Sequence, residues 1–168
     1  GRIILLKALN LYGIEDLRFE ETAVPKIDAP NDVMIKVKAT GICGSDTSRY
    51  KKLGPYKQGM TFGHEFSGIV EEIGSDVSGL NVGDAVTGCP AVVCHQCHYC
   101  EKGEYSRCEN LYVIGSYEPG CFAEYVNNCP LSCGIIQEML FQIQLSIKLM
   151  FKILLKYLIS VIIIIDNK

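Results

Sequence analysis

Four of the nine cysteines fall within fifteen residues, as Cys94, Cys97, Cys100 and Cys108. The spacing C-x2-C-x2-C-x7-C leaves this stretch few ways to fold. Its short loops must turn back so that the sulfurs converge on one point. Cys94 to His98 also reads as C-x-x-C-H, the attachment pattern of a c-type haem. That reading requires an exported protein and leaves Cys100 and Cys108 without a role. A bacterial iron–sulfur run needs three residues before its fourth cysteine and a proline after it. Here seven residues precede Cys108 and Glu109 follows it. Closed coordination by four thiolates is what a structural zinc ion prefers, and a zinc loop is the expectation. His95 and His98 then read as exposed loop residues.

This reading requires reduced thiols. The cysteine count is odd, and no charged segment, apolar stretch and small-residue cleavage site open the sequence. A cytoplasmic, reducing setting is expected, where clustered cysteines serve as ligands before they serve as disulfides. Net charge is −3 and the chain has no basic block, so nucleic-acid binding has no electrostatic support.

Composition divides the chain in two. Residues 1–127 are glycine-punctuated and rich in short alternating runs. In "DVMIKVKA", Val33, Ile35, Val37 and Ala39 share one face while Met34, Lys36 and Lys38 share the other, the period of a half-buried strand. "SGIVEEIG", "GDAVTG" and "FAEYV" read as further short strands. "SDTSRYKKLG" reads as a helix ended by Gly54 and Pro55. The expected class is mainly β with short helices (α+β), built as a small antiparallel barrel or sandwich. Residues 128–168 form an atypical apolar tail. Gln144, Lys148, Lys152, Lys156 and Ser160 recur every fourth residue there, giving a narrow polar stripe on a helix buried on most sides, or a peptide that never folds. A membrane-surface helix is the alternative. Lysines interrupt the one stretch near spanning length, which argues against a transmembrane helix.

A second ligand set lies upstream. Cys43, His64 and Glu65 offer a thiolate, an imidazole and a carboxylate. Three mixed protein ligands are what a catalytic zinc uses, because its fourth position stays open.

These residues carry a family resemblance. "GHEFSGIVEEIGSDV", with Gly63, His64, Glu65, Gly68, Gly74 and Val77 at the family's offsets, resembles the zinc signature of the medium-chain, zinc-containing alcohol dehydrogenases. "GICGSD", "NVGDAV", the four-cysteine loop and "GCFAEYV" follow in that family's order. The segment resembles the family's GroES-like β-barrel domain, and most of all its polyol branch of galactitol-1-phosphate 5-dehydrogenases and sorbitol dehydrogenases. The resemblance implies Cys43, His64 and Glu65 as catalytic-zinc ligands and Cys94, Cys97, Cys100 and Cys108 as structural-zinc ligands. It implies catalytic roles for Ser45, whose hydroxyl relays the substrate proton, and for Asp46, a carboxylate behind the zinc site. Taken alone, Ser45 and Asp46 read as a helix N-cap with an acidic first turn, and both roles can hold together. The implied reaction oxidises a small-molecule polyol or polyol phosphate to a ketone by hydride transfer to NAD(P). Family-like homo-oligomers are implied for whole enzymes and left open for this chain.

The sequence also departs from that family. The G-x-G-x-x-G of a nucleotide-binding (Rossmann) domain is absent from these residues, so NAD(P) is expected only through a missing second domain. The Ile/Leu/Lys/Phe/Asn-heavy tail is what an AT-rich gene yields in the wrong reading frame. A truncated or frameshifted dehydrogenase, inactive alone, is therefore the expectation. The rival reading is a non-catalytic zinc-binding module whose amphipathic tail meets a membrane or partner. Cys121 stands where the family usually has a second glycine; it, Cys89, Cys129 and Cys133 read as packing or incidental thiols.

Overall fold

The computed structural model describes residues 5–128, 133–135 and 162–164. Two strands open the chain, β1 (Leu5–Gly13) and β2 (Asp16–Ala23), paired as a hairpin. β3 (Val33–Gly41) follows, then α1 (Gly44–Ser48), which runs on into a π-helical turn over Arg49–Leu53. β4 (Met60–Thr61), β5 (Glu65–Ile73), β6 (Ala85–Gly88) and β7 (Ala91–Val92) come next. α2 (His98–Glu101) and a 3₁₀ turn (Tyr105–Arg107) precede β8 (Tyr112–Val113) and β9 (Tyr125–Asn128). β10 (Cys133–Ile135) and β11 (Ile162–Ile164) complete the described elements.

The sheet pairings are antiparallel. One sheet has the order β2-β1-β4 and a second the order β10-β6-β5-β3-β11, with β9 also on β3; β7 and β8 form a small ribbon. An Ala8↔Ala123 bridge and the Leu9 N–H to Phe122 carbonyl bond (2.8 Å) join the first sheet to the segment entering β9. Two bulges bend the β3–β5 ladder, one between Met34 and Ile35 and one between Val37 and Ala39. Each adds local twist and curvature, as a closing barrel needs.

The alternation seen in β3 sets the core. Val33 and Ile35 are fully buried, and Phe66, Val70, Val86, Ile114 and Val126 pack around them. Each such side chain stabilises the fold by roughly 1.5–3 kcal/mol on burial. At Gly68 the ladder is so close that a Cβ would strike the Lys36 carbonyl and the Ile35 side chain. A larger residue there would push β3 and β5 apart.

The early helix begins one residue before the predicted start and ends at Gly54, where φ is 72°. Its second half is a π turn rather than α. The tail's polar-stripe segment, residues 136–161, lies outside the described residues. The described parts of the tail are strands rather than helix: Cys133–Ile135 pairs with β6 and Ile162–Ile164 with β3. β-branched isoleucines suit such an extended position better than a helix. Among the described residues no helix is long and apolar enough to cross a membrane.

Candidate metal centres

The four-cysteine loop hangs from the β7–β8 ribbon, closed at its base by the pairs Ala91↔Val113 and Val92↔Tyr112. His95 adopts a left-handed conformation (φ 56°) that turns the chain sharply between the first two cysteines. Cys97 caps α2, Cys100 lies inside it, and Cys108 follows the 3₁₀ turn. The four sulfurs all lie within 4.8 Å of one another. Cys94 Sγ is 3.5 Å from Cys108 Sγ and 4.0 Å from Cys100 Sγ, and the Cys94 N–H donates to Cys108 Sγ at 3.3 Å. Tetrahedral zinc with bonds of about 2.3 Å places its sulfurs about 3.8 Å apart. The loop has those dimensions.

The electrostatics agree. The Gln96 backbone N–H draws the Cys94 thiol down to about 6, and that of Glu109 lowers Cys97. Burial pushes Cys100 up to about 12. Four sulfurs this close cannot all ionise unless a cation sits among them. His98 is exposed as expected, but His95 is half-buried, its ring 5.5 Å from that of Tyr105. Among the described residues, neither histidine belongs to a cluster that could hold a metal.

The second cluster is assembled from separate segments. Cys43, at the N-cap of α1, meets His64 and Glu65, with one ligand atom from each within 4.8 Å of the others. Asp46 holds the first two in place. One carboxylate oxygen accepts the Cys43 N–H at 2.8 Å, and the other lies 3.3 Å from His64 Nδ1. The helix cap is thus Cys43 with Asp46 reaching back, rather than Ser45. Asp46 is only 3% exposed, and among the described residues its Oδ1 has the His64 contact and no hydrogen-bond partner. With Nδ1 turned to Asp46, Nε2 is the His64 nitrogen left for a metal. Asp46 raises the His64 pKa to about 9. Hydrogen bonds from the Ser45 hydroxyl and backbone N–H, then His64, pull the Cys43 thiol below its usual range. A thiolate, an oriented imidazole and a carboxylate form a donor set that suits zinc with one position open.

Sequence reasoning did not anticipate three supports. Gly41 lies opposite Glu65 in the β3–β5 ladder, and a Cβ there would come within 2.5 Å of Glu65 Oε2. The Glu65 backbone is pinned by Thr40 Oγ1 (2.9 Å) and Cys121 Sγ (3.5 Å), both donating to its carbonyl. Gly63 has φ 89° and lies against the Phe122 ring, while Gly120, Cys121 and Phe122 donate to the carbonyls of Thr61, Gly63 and Phe62. The glycine before each ligand segment, Gly41 and Gly63, was the available signal. Cys121 is fully buried and raised to about 12 by that burial, as a packing thiol should be. A cavity of about 400 Å³ between the β2–β3 connection and residues 118–127 includes none of the cluster residues.

Residues 29–130 match the family described as "Alcohol dehydrogenase GroES-like domain". Over 110 residues the chain is 42% identical to galactitol 1-phosphate 5-dehydrogenase of Escherichia coli K12, covering 66% of this chain and 32% of that protein. Over 97 residues it is 44% identical to sorbitol dehydrogenase of Halalkalibacterium halodurans, covering 57% and 28%. The crystal structure of galactitol-1-phosphate dehydrogenase from Escherichia coli superposes with a TM-score of 0.70 at 36% identity, over 76% of this chain and 37% of that one. The chain thus spans about a third of the length of these relatives.

Proposed function

The chain belongs to the zinc-containing alcohol dehydrogenase family through its GroES-like domain, and on that premise we propose that it is the metal-binding half of an NAD(P)-linked polyol or polyol-phosphate dehydrogenase. The GroES-like unit is residues 1–127, and the setting is the cytoplasm. The observation that carries this reading is the convergence of Cys43, His64 and Glu65 with Asp46 behind His64. A packing role accounts for none of these polar groups meeting at one point.

Cys43, His64 and Glu65 hold a catalytic zinc; Cys94, Cys97, Cys100 and Cys108 hold a structural one. Bound zinc supplies a Lewis acid that polarises an alcohol oxygen. Asp46 is a positioning residue: it fixes the His64 tautomer and, through the Cys43 N–H, the start of α1. Ser45 is exposed on the first turn of α1 beside Cys43. Its hydroxyl would accept the proton of a bound alcohol and pass it outward, and a nicotinamide held beside the site would supply the hydride acceptor. These residues lack a dinucleotide-binding motif, so the nicotinamide is bound by a second domain of the whole enzyme.

Zinc analysis of the purified chain, paired with NAD⁺-dependent polyol oxidation by a full-length counterpart, tests this. Two zinc equivalents and turnover that vanishes in Cys43→Ser are expected. Full turnover in that variant, or a single zinc equivalent in the unmodified chain, overturns the reading.

A further inference from the structure

Between Asp46 and Glu65 the sequence holds no acidic residue, yet it holds Arg49, Lys51, Lys52 and Lys57. In a chain of net charge −3 this is a local reversal of sign. The other described arginines are neutralised, Arg18 by Asp16 and Arg107 by Glu104, each at 2.7 Å. Among the described residues, none of the four cations in the 49–57 arm pairs with a carboxylate.

Arg49 is held by neutral partners instead. Its Nη1 donates to the Gly54 carbonyl at 3.3 Å, and its guanidinium lies 3.4 Å from the centroid of the Tyr56 ring. Tyr56 in turn packs on Tyr117, with ring centroids 5.3 Å apart. Stacking fixes the plane of the guanidinium and leaves the edge donors that the Gly54 carbonyl does not take to bind something else.

Both ends of this stack are anchored beside the Cys43–His64–Glu65 cluster. The Arg49 N–H donates to the Ser45 and Asp46 carbonyls, so Arg49 follows Ser45 by one helical turn on the same face. Tyr117 belongs to the loop whose Gly115 and Gly120 abut the Gly63 carbonyl, next to His64.

We infer that the 49–57 arm, centred on Arg49, is the phosphate subsite of this centre and that its substrate is a polyol phosphate rather than a free polyol. The inference rests on the dehydrogenase reading above. A planar, pre-oriented guanidinium matches a phosphate through paired hydrogen bonds, and the three lysines add a steering field. An uncharged polyol gives these cations hydrogen-bond acceptors but no ionic partner. Lys51, Lys52 and Lys57 are exposed, as solvated lysines commonly are. Arg49, half-buried and stacked, is the residue that discriminates.

Calorimetry on the zinc-loaded 168-residue chain tests this, with sorbitol 6-phosphate, sorbitol, inorganic phosphate and NADP⁺ as probes. Sorbitol 6-phosphate is expected to bind roughly ten-fold or more tightly than sorbitol, a preference that shrinks as salt rises. Arg49→Gln is expected to cut that preference by roughly ten-fold or more, and Arg49→Lys by less. Unfolding midpoints and zinc content establish that the variants are folded. Should Arg49→Gln fail to fold, Arg49→Lys and the salt dependence of the unmodified chain decide the matter. Equal binding of the two hexitols overturns the inference, as does a preference unchanged in Arg49→Gln. Inorganic phosphate or NADP⁺ binding as tightly as sorbitol 6-phosphate assigns the arm to another anion and also overturns it. Two zinc equivalents without phosphate preference sink this inference alone, whereas loss of the second equivalent sinks the dehydrogenase reading.

Discussion

Asp46 Oδ1 lies 3.3 Å from His64 Nδ1, and the same buried carboxylate accepts the Cys43 N–H at 2.8 Å. One side chain therefore orients two members of the Cys43–His64–Glu65 cluster that stand 21 positions apart in sequence. Asp46→Asn keeps the size but removes the charge. Zinc affinity at this centre is expected to fall about 10–100-fold, as for other partners of ligating histidines. Competition against a chelator measures it. The four-cysteine site is expected to keep its metal, so a uniform loss at both sites would contradict the role given to Asp46.

The same pair sets a pH dependence once metal is chelated. His64 is raised from 6.5 to about 9, chiefly by Asp46. The protonated pair contributes stability that is fully present below pH 6.5 and is lost as pH rises through about 9. Urea unfolding of the chelated protein across that window is expected to show stability falling with pH on this account. Asp46→Asn is expected to flatten that slope. Zinc must displace the His64 proton, so its apparent affinity is expected to climb over the same window.

In the four-cysteine loop the order of thiol reactivity is the readout. With zinc bound, all four cysteines are expected to resist alkylation. After chelation near neutral pH, Cys94 (drawn down to about 6) is expected to react first and Cys100 (held up at about 12) last. Mass spectrometry of the labelled peptides gives the order. Simultaneous labelling of the four would show that the loop geometry does not persist without metal.

Much of this architecture is legible in local sequence, because local chemistry decides it. Val33 and Ile35 alternate inward as the period of β3 demands. The cysteine spacing closes a loop without help from distant residues. What sequence leaves hidden depends on register between strands. Nothing local says that Gly41 faces Glu65, or that the 120–122 segment hydrogen-bonds along 61–63. Nor does the pattern of "SRYKKL" reveal that the helix widens into a π turn, or that the Arg49 guanidinium lies on the Tyr56 ring.

Gly63→Ala tests those hidden supports. At φ 89° a side chain is strained, and the new Cβ would run into the Phe122 ring. A destabilisation of about 1–3 kcal/mol is expected from the backbone alone. Because Gly63 precedes His64, weakened zinc binding at the catalytic centre should accompany it. Denaturant midpoints together with zinc content check both effects. A variant with unchanged stability and two zinc equivalents would show that neither the backbone conformation at Gly63 nor its contact with Phe122 constrains the site.

The proposed function gives Ser45 two separable duties, and Ser45→Ala divides them. As the proton relay, its loss in a full-length counterpart is expected to lower turnover by roughly 10²–10⁴-fold. As the hydroxyl that lowers the Cys43 thiol, its loss should raise that thiol. The Ser45 backbone N–H and His64 continue to favour the thiolate, so zinc should remain bound, with its affinity shifted modestly. Cys43→Ser removes a ligand outright and is expected to empty the catalytic centre while the four-cysteine site stays filled. The two variants therefore differ in metal content although both lose activity. Relay chemistry also predicts partial rescue of Ser45→Thr, whose hydroxyl survives, and a kcat rather than KM effect in Ser45→Ala. A Ser45→Ala enzyme that lost zinc in step with activity would place Ser45 among the supports of Cys43 and take the proton by another route.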